Sequence, residues 1–395
     1  MSRVVRFAVL VLLVAGLVVS GARHAWTAFQ RRRGHSVTIA TFNVQTLFDG
    51  EYDGGEFREF NPYASEWNDA AYRERLEILA TYLRELTPDG QPDILALQEL
   101  EGPDVLSDLC EHIGGDAYPY RLCAPGEAVM SVCIASRFPV TAAVVHGLDA
   151  GTESAGPGAV TLRSMLDAAI DTPGGPVRVI AAHWKSPREG RAETAALRWL
   201  AARAAARAVH FRLRQAPGSR IILAGDLNEE ISPGSMILGP RPEAALRVAP
   251  VSAAPGSAAP GSTAPGSAAP VSAAPGSAAP GRASALSQTA PGDPPTLYSP
   301  WSELDGGSYV FRGRPRRIDH LLFTPGFFPG LAVDHADRPH ADGPHVDRPR
   351  GGLIYGSAHL VTDWADETGA PARYHAFARR GVSDHFALYA VLQLK

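Results

Sequence analysis

Cysteine is scarce in this chain: Cys110, Cys123 and Cys133 are the only three in 395 residues. None stand in CxxC spacing, which argues against a cysteine-built zinc site. Three small buried side chains are the expected reading; the alternative is one disulfide in an oxidising compartment, with Cys110–Cys123 taken as the nearest pairing. No sign of charge dominates either. Lys and Arg number 37 against 41 Asp and Glu, giving a net charge of -4 and a pI of about 6.4. A molecule-wide basic field is excluded, so composition gives no independent sign of a nucleic-acid binder. A local groove and a bound cation can still supply the positive charge that a phosphate needs. Long apolar runs are missing as well. The N-terminal run Phe7 to Val19 falls short of the roughly 20 residues that a membrane-spanning helix requires.

That run does have the order of a targeting signal. Arg3 and Arg6 precede it, and Ser20-Gly21-Ala22 follows: charged, apolar, small. Residues 1–22 are expected to be a signal peptide or membrane anchor, and 23–35 a basic linker. Arg23 and Arg31-Arg32-Arg33 lie just beyond the run, where positive charge resists translocation, so both cleaved and anchored forms stay open. No cysteine near the end of the run could carry a lipid. The expected location is outside the cytoplasm: periplasmic, extracellular or membrane-anchored.

Residues 36–395 read as a single domain, 45% of the chain being hydrophobic. Runs such as Val37 to Phe42, Asp93 to Gln98, Val129 to Ala135, Val177 to Ala182 and Arg220 to Ala224 predict strands. Leu76, Leu79, Ala80 and Leu83 share one helical face, predicting a helix over Tyr72 to Leu86. Glu193 to Leu213, rich in alanine and free of proline and glycine, predicts a second. Further strands are expected at Tyr309 to Phe311, Ile318 to Phe323 and Phe386 to Leu394. Strands alternating with helices indicate an α/β protein. About 245–296 is set apart by a proline every five residues from Pro250 to Pro280 and few bulky apolar side chains. It is expected to be a disordered insertion within the domain. His335, His340 and His345 each open a short unit carrying aspartate; metal binding is weighed there against a polar loop enlarged by repetition.

Polar residues with complementary chemistry recur at predicted strand ends. Asn43 follows the first strand, Glu99 the second, His183 the strand at 177–182, and Asp226 and Asn228 the strand at 220–224. Strand ends are where an α/β sheet assembles its sites. Glu99, Asn43, Asp226, Asn228 and Asp384 offer the oxygen ligands that a hard divalent cation takes. His183 and His385 can move protons in phosphodiester cleavage, and Asp319 can orient a histidine. Singly each signal is weak: Gly225-Asp226-Leu227-Asn228 is often only an Asx turn, and Glu99 could cap a helix.

In order and spacing the set resembles the endonuclease/exonuclease/phosphatase superfamily, whose best-known member is pancreatic deoxyribonuclease. The matching pieces are Thr41-Phe42-Asn43-Val44, Leu97-Gln98-Glu99, Ile134-Ala135-Ser136-Arg137-Phe138-Pro139 and His183-Trp184-Lys185-Ser186, then Gly225-Asp226-Leu227-Asn228, Arg317-Ile318-Asp319-His320 and Ser383-Asp384-His385-Phe386. The resemblance implies a four-layer α/β sandwich, two packed mixed sheets flanked by helices. It implies that Glu99, with Asn43, binds the metal, and that Asp384 supports the metal or orients the histidines. Asp226 and Asn228 would position the nucleophile and the phosphate. His183 would contact the phosphate and help the leaving group, and His385, oriented by Asp319, would be general base or phosphate ligand. His320 is expected to be structural. Asn43-Val44-Gln45-Thr46-Leu47-Phe48-Asp49 is also similar to the opening of a branch of exported bacterial nucleases, with Gln45 in place of the usual glutamate.

The expected function is that of a Mg²⁺-dependent exported nuclease, with Mn²⁺ or Ca²⁺ as alternative ions. Lys185 is expected to touch the phosphate; Trp184 either stacks on a base or packs in the core. A phosphatase or phospholipase C-type enzyme on inositol phosphates or sphingomyelin is the runner-up, and an inactive binding protein on the same fold is third. Nucleic acid is the expected partner, with the membrane a second if the N-terminal segment is uncleaved. No protein partner is implied, and a monomer is expected.

Overall fold

The structure is a computed structural model, which describes residues 36–124, 130–148, 162–231, 246–254, 295–328 and 352–394. The N-terminal signal and linker, most of the proline repeat and the histidine–aspartate repeat lie outside these residues. Among the described residues no helix is long and apolar enough to cross a membrane.

Two mixed sheets pack face to face. The first is built from β1 (Ser36–Leu47), β2 (Ile94–Leu100), β3 (Tyr120–Cys123), β4 (Ser131–Ser136), β14 (Leu353–Leu360) and β15 (Leu388–Leu394), in the order β14-β15-β1-β2-β4-β3. The second contains β5 (Val140–Leu148), β6 (Leu162–Thr172), β7 (Gly175–His183), β8 (Ile221–Asp226), β9 (Arg247–Pro250), β10 (Thr296–Ser299) and β13 (Asp319–Phe323), in the order β5-β6-β7-β8-β13-β10-β9. A small hairpin, β11 (Tyr309–Phe311) and β12 (Arg314–Arg316), stands apart. Each sheet has a parallel pair near its middle, β1 with β2 and β7 with β8.

Side-chain alternation along the strands separates three cores. Val37, Ile39, Ile94, Ala96, Val179, Ala181, Ile222 and Leu321 fill the space between the sheets. Their neighbours Ala40, Phe42, Leu95 and Leu97 point the other way, against α1 (Asp69–Arg84) and α2 (Pro103–Gly114). On the second sheet Ile180, Ala182, Leu223 and Leu322 meet α3 (Ala195–Gln215). The alanines of α3, among them Ala201, Ala202 and Ala205, let its backbone lie close to the strands. The result is the expected four-layer α/β sandwich. At the start of α1 the Asn68 side chain accepts from the amides of Ala70 and Ala71, and α2 begins with Pro103.

Two expectations are corrected. The disulfide joins Cys123 to Cys133, and Cys110 is free and buried in α2. Cys123 and Cys133 sit directly opposite on antiparallel β3 and β4, whereas Cys110 is committed to the helical core. Residues 246–254, expected to belong to the disordered insertion, instead include a strand of the second sheet. Leu246, Val248 and Val251 are buried, and β9 pairs in parallel with β10, so both sides of the repeat are stitched into the second sheet.

Candidate active site

The parallel pairs bring Asn43, Glu99, His183 and Asp226 to one end of the sandwich, and β13 runs antiparallel to β8 so that its first residue, Asp319, lies beside Asp226. Asp384 and His385 approach on the segment leading into β15. All seven residues, with Asn228, therefore meet in one region, and the cleft above them measures about 600 Å³. Of this set, Glu99, His183, Asp226, Asn228, Asp384 and His385 line it directly.

The backbone here is held in conformations that side chains rarely adopt. Glu99 has φ 68°, at a break in register between β2 and β4, so its side chain is turned out of the strand's alternation into the cleft. Gln45 and Thr46 have φ 54° and 55° at the matching break in β1. Thr46 then donates from its amide and its hydroxyl to Glu99 Oε2, at 3.0 and 3.1 Å. Gly225, with φ 144°, has no room for a side chain: a Cβ would stand 1.8 Å from the Ala182 carbonyl oxygen. This close approach fixes Asp226 against His183.

Asp226 Oδ2 is the centre of the cluster. Asn43 Nδ2 donates to it and to Glu99 Oε1, both at 3.1 Å. His183 Nε2 lies 3.5 Å from Asp226 Oδ2 and His385 Nε2 3.8 Å. The other oxygen of Asp226 accepts from the Asn228 amide at 2.9 Å, the expected Asx turn, and Asn228 Nδ2 donates to the Trp184 carbonyl. Asp319 Oδ2 accepts from His385 Nδ1 at 2.7 Å, while its Oδ1 is buried without a partner. Ser383 donates to the Asn43 carbonyl and accepts from the His385 amide, tying the last loop to β1.

The two histidines are shifted in opposite directions. Burial pushes His183 well below its usual pKa, and Arg163 and His385 add to the effect, so it is neutral. Burial also opposes charge on His385, but Asp319, Asp226 and Asp384 overcome it and hold the ring cationic. Burial and the neighbouring Asp319 raise the Asp226 carboxyl.

These residues fit a divalent cation. Glu99, Asp226 and Asp384 converge on one cleft beside the buried Asp319, whose Oδ1 has no partner, and carboxylate oxygens are the ligands that a hard divalent cation takes. Among the described residues, Asp226, Asp319 and His385 form a group of potential ligands, with ligand atoms within 4.8 Å of one another. That is not the expected set, and one Asp319 oxygen is engaged by the histidine. Glu99 and Asp384 face the cleft, which suits an ion that keeps part of its water. Asn43 turns its amide nitrogen to the carboxylates, and its oxygen accepts from the Gln45 amide at 3.0 Å. It would ligate a cation only after giving up that bond.

Several neighbours were differently placed or unforeseen. Trp184 is buried in the core under α3, so it does not stack on a base. Lys185 lines the cleft but is paired with Glu189. His320 is buried and bonded to the Glu229 carbonyl at 2.9 Å, away from the cleft. Arg163, at the start of β6, escaped the sequence reading. It lines the cleft and has one guanidinium nitrogen buried without a partner; burial lowers its pKa, and Glu99 and Asp226 oppose that shift. An arginine opening the apolar strand beside the histidine strand was the available signal. Gln45 is also explained: its side chain accepts from the Tyr374 amide at 2.9 Å and donates to the Tyr374 carbonyl at 3.0 Å. An ionised glutamate lacks the donor for the second bond.

Fold and site together define a hydrolase of phosphate ester bonds that depends on a divalent metal. The profile of the Endonuclease/Exonuclease/phosphatase family matches residues 38–239, just over half of the sequence, and the chain belongs to that family. Comparison with curated proteins gives no match. Among solved structures the chain is similar to TDP2 from Caenorhabditis elegans, at 16% identity over 91% of this chain and 76% of that one, TM-score 0.47. It is similar to an endonuclease/exonuclease/phosphatase from Bacteroides vulgatus, at 13% identity over 91% and 99%, TM-score 0.47. A third likeness is to an endonuclease/exonuclease/phosphatase from Beutenbergia cavernae, at 16% identity over 91% and 72%, TM-score 0.42.

Proposed function

We propose that the protein is an exported, Mg²⁺-dependent nuclease. The observation that carries this reading is the character of the cleft wall. In a chain of net charge -4, Arg163, Lys185, Arg188, Arg191 and Arg316 gather around the carboxylates, with Phe57 and Phe311 at the rim. Cations beside exposed rings suit a polymer of phosphates and bases. Export is supported by the Cys123–Cys133 disulfide, which belongs to an oxidising compartment.

In this reading Glu99 and Asp384 would hold the cation, Mg²⁺ with Mn²⁺ or Ca²⁺ as alternatives. When bound, it supplies charge stabilisation at the phosphoryl oxygens. Asp226 orients the attacking water and takes its proton, and Asn228 holds the phosphate. Arg163 meets a non-bridging oxygen with its unpartnered nitrogen. His385, kept cationic by Asp319, neutralises the phosphate and returns a proton to the leaving oxygen. His183, being neutral, contributes a hydrogen bond and no charge.

A substrate panel tests the reading: plasmid DNA, RNA, sphingomyelin and inositol phosphates, each with Mg²⁺ and with EDTA. Cleavage of nucleic acid with Mg²⁺ is expected. Turnover of sphingomyelin or inositol phosphate without nucleic-acid cleavage would establish the second reading, which the exposed rings at the cleft mouth also favour.

A further inference from the structure

A second cleft of about 400 Å³ adjoins the catalytic one. The two share Thr46, Phe57, Glu99 and Arg188, so whatever lies in one continues into the other. Two loops wall the second cleft. One follows β1 and presents Phe57; the other precedes β15 and presents Arg373, Tyr374 and Phe377. Phe377 is 87% exposed and Phe57 44%. Two exposed rings on the wall of one cleft present apolar faces to whatever enters it. Among the described residues, neither Arg188 nor Arg373 forms an ion pair, although Lys185, Arg191 and Arg316 nearby are each matched by a glutamate.

The loop bearing Phe377 is braced from beneath. Gln45 clamps both backbone groups of Tyr374, and the buried Arg75 guanidinium stacks 3.9 Å from the Tyr374 ring centre. Gln45 is part of the same distorted turn whose next residue, Thr46, holds Glu99. The aromatic wall is thus set at a fixed distance from the reaction centre.

We propose that this cleft is a subsite for the nucleotide flanking the scissile phosphodiester in an unpaired strand: its base lies against Phe377 and Phe57, and its phosphate meets Arg373 and Arg188. The inference rests on the nuclease reading and narrows it to single-stranded or unwound substrate. A duplex hides its base faces in its own stack, whereas an unpaired base offers a free face to an aromatic ring. A lipid tail fits less well, because Glu59, Glu99, Arg188, Arg373 and His375 also line the cleft and burying them in hydrocarbon is costly.

The test compares the full-length protein with Phe377→Ser and Arg373→Gln, two exposed positions whose replacement leaves the core alone. Each is assayed on a short single-stranded oligonucleotide, on its duplex, on single strands made abasic on one or the other side of the scissile bond, on bis(p-nitrophenyl) phosphate and on sphingomyelin vesicles. The wild type is expected to favour the single strand over the duplex by about tenfold or more. Phe377→Ser is expected to raise KM for the single strand roughly 5- to 100-fold, the range of one lost base–aromatic stack. The loss on bis(p-nitrophenyl) phosphate, which has no flanking nucleotide, should be about twofold or less. One abasic strand should show the same loss with the wild type, and Phe377→Ser should add nothing further to it. If nucleic acid is cleaved but neither variant differs from wild type on the single strand, the subsite is refuted and the nuclease reading stands. If bis(p-nitrophenyl) phosphate is cleaved and no nucleic acid is, both fall together. A Phe377→Ser defect confined to sphingomyelin vesicles would assign the rings to a membrane and refute the subsite.

Discussion

Replacing Asp319 with asparagine removes a charge and leaves the shape. In the folded protein Asp319 Oδ2 stands 2.7 Å from His385 Nδ1, and both side chains are buried. The other carboxylates near that ring are more distant, Asp226 at 3.8 Å and Asp384 at 3.9 Å from Nε2. Two unit charges about 4 Å apart interact by about 4 kcal/mol at an effective dielectric constant of about 20. With about 1.4 kcal/mol per pKa unit, losing Asp319 should lower the His385 pKa by roughly 2–3 units, from about 10 to roughly 7–8. The variant ring is then largely neutral at about pH 9, where the wild-type ring is still cationic. If His385 works as a cation, kcat/KM for bis(p-nitrophenyl) phosphate should fall about 10- to 100-fold at about pH 9. The deficit should shrink to about twofold or less near about pH 6, where both rings are protonated. Initial rates across that pH range at saturating Mg²⁺ measure this directly, with circular dichroism as the check on folding. A loss that is equal at every pH would mean that Asp319 acts through geometry alone and would refute the charge assignment. No loss would remove the pair from the mechanism.

Other outcomes follow from the same contacts. Gly225→Ala should lower stability by about 2–4 kcal/mol in urea unfolding, combining a strained φ with a strand pushed away from the Ala182 carbonyl, and should impair catalysis because Asp226 moves with it. Unchanged stability would contradict the close approach. Arg163→Met keeps the stem and removes the charge; KM for a phosphodiester should rise about tenfold or more, against no change if the arginine only fills space. His320 gives a pH signature in stability. Burial pushes its pKa down to about 4. The unfolded chain therefore binds a proton between about pH 6.5 and 4 that the folded protein refuses, and stability falls as pH drops through that window. His320→Asn should remove up to about 3 kcal/mol of this acid sensitivity, measured as the change in unfolding free energy between pH 7 and pH 4.

Much of the site was legible in the sequence because its residues sit where strands end. A run such as Ile221 to Gly225 announces itself by composition, and the polar residue that closes it, Asp226, is the last of the strand, paired with His183 at the sheet's end. The same logic placed Asn43, His183 and Asp226. It worked less well for what depends on three-dimensional neighbours. Nothing in the spacing of three cysteines says that β3 and β4 lie antiparallel with Cys123 opposite Cys133. Trp184 was ambiguous because strand alternation fails at the last residue, where a side chain can turn to either face. Arg163 was missed because β6 follows a glycine-rich stretch and its pairing with β7 is a long-range event. The turn at Glu99 is also invisible in sequence: only the register break between β2 and β4 reveals that this residue leaves its strand's alternation. The start of the proline repeat misled for a simpler reason. A few buried apolar residues, Leu246, Val248 and Val251, are enough to order a short strand when a partner such as β10 waits on the far side.

The most direct test of a metal-dependent phosphoester hydrolase centred on Asp226 is a single titration. Phosphodiester hydrolysis is followed while EDTA removes, and Mg²⁺ restores, the divalent cation, in wild type and in Asp226→Ala. The wild type should lose its activity with EDTA and regain it with Mg²⁺, and Asp226→Ala should stay at least about 100-fold below it throughout. Activity that survives EDTA, or an Asp226→Ala variant that hydrolyses as fast as wild type, would contradict the account.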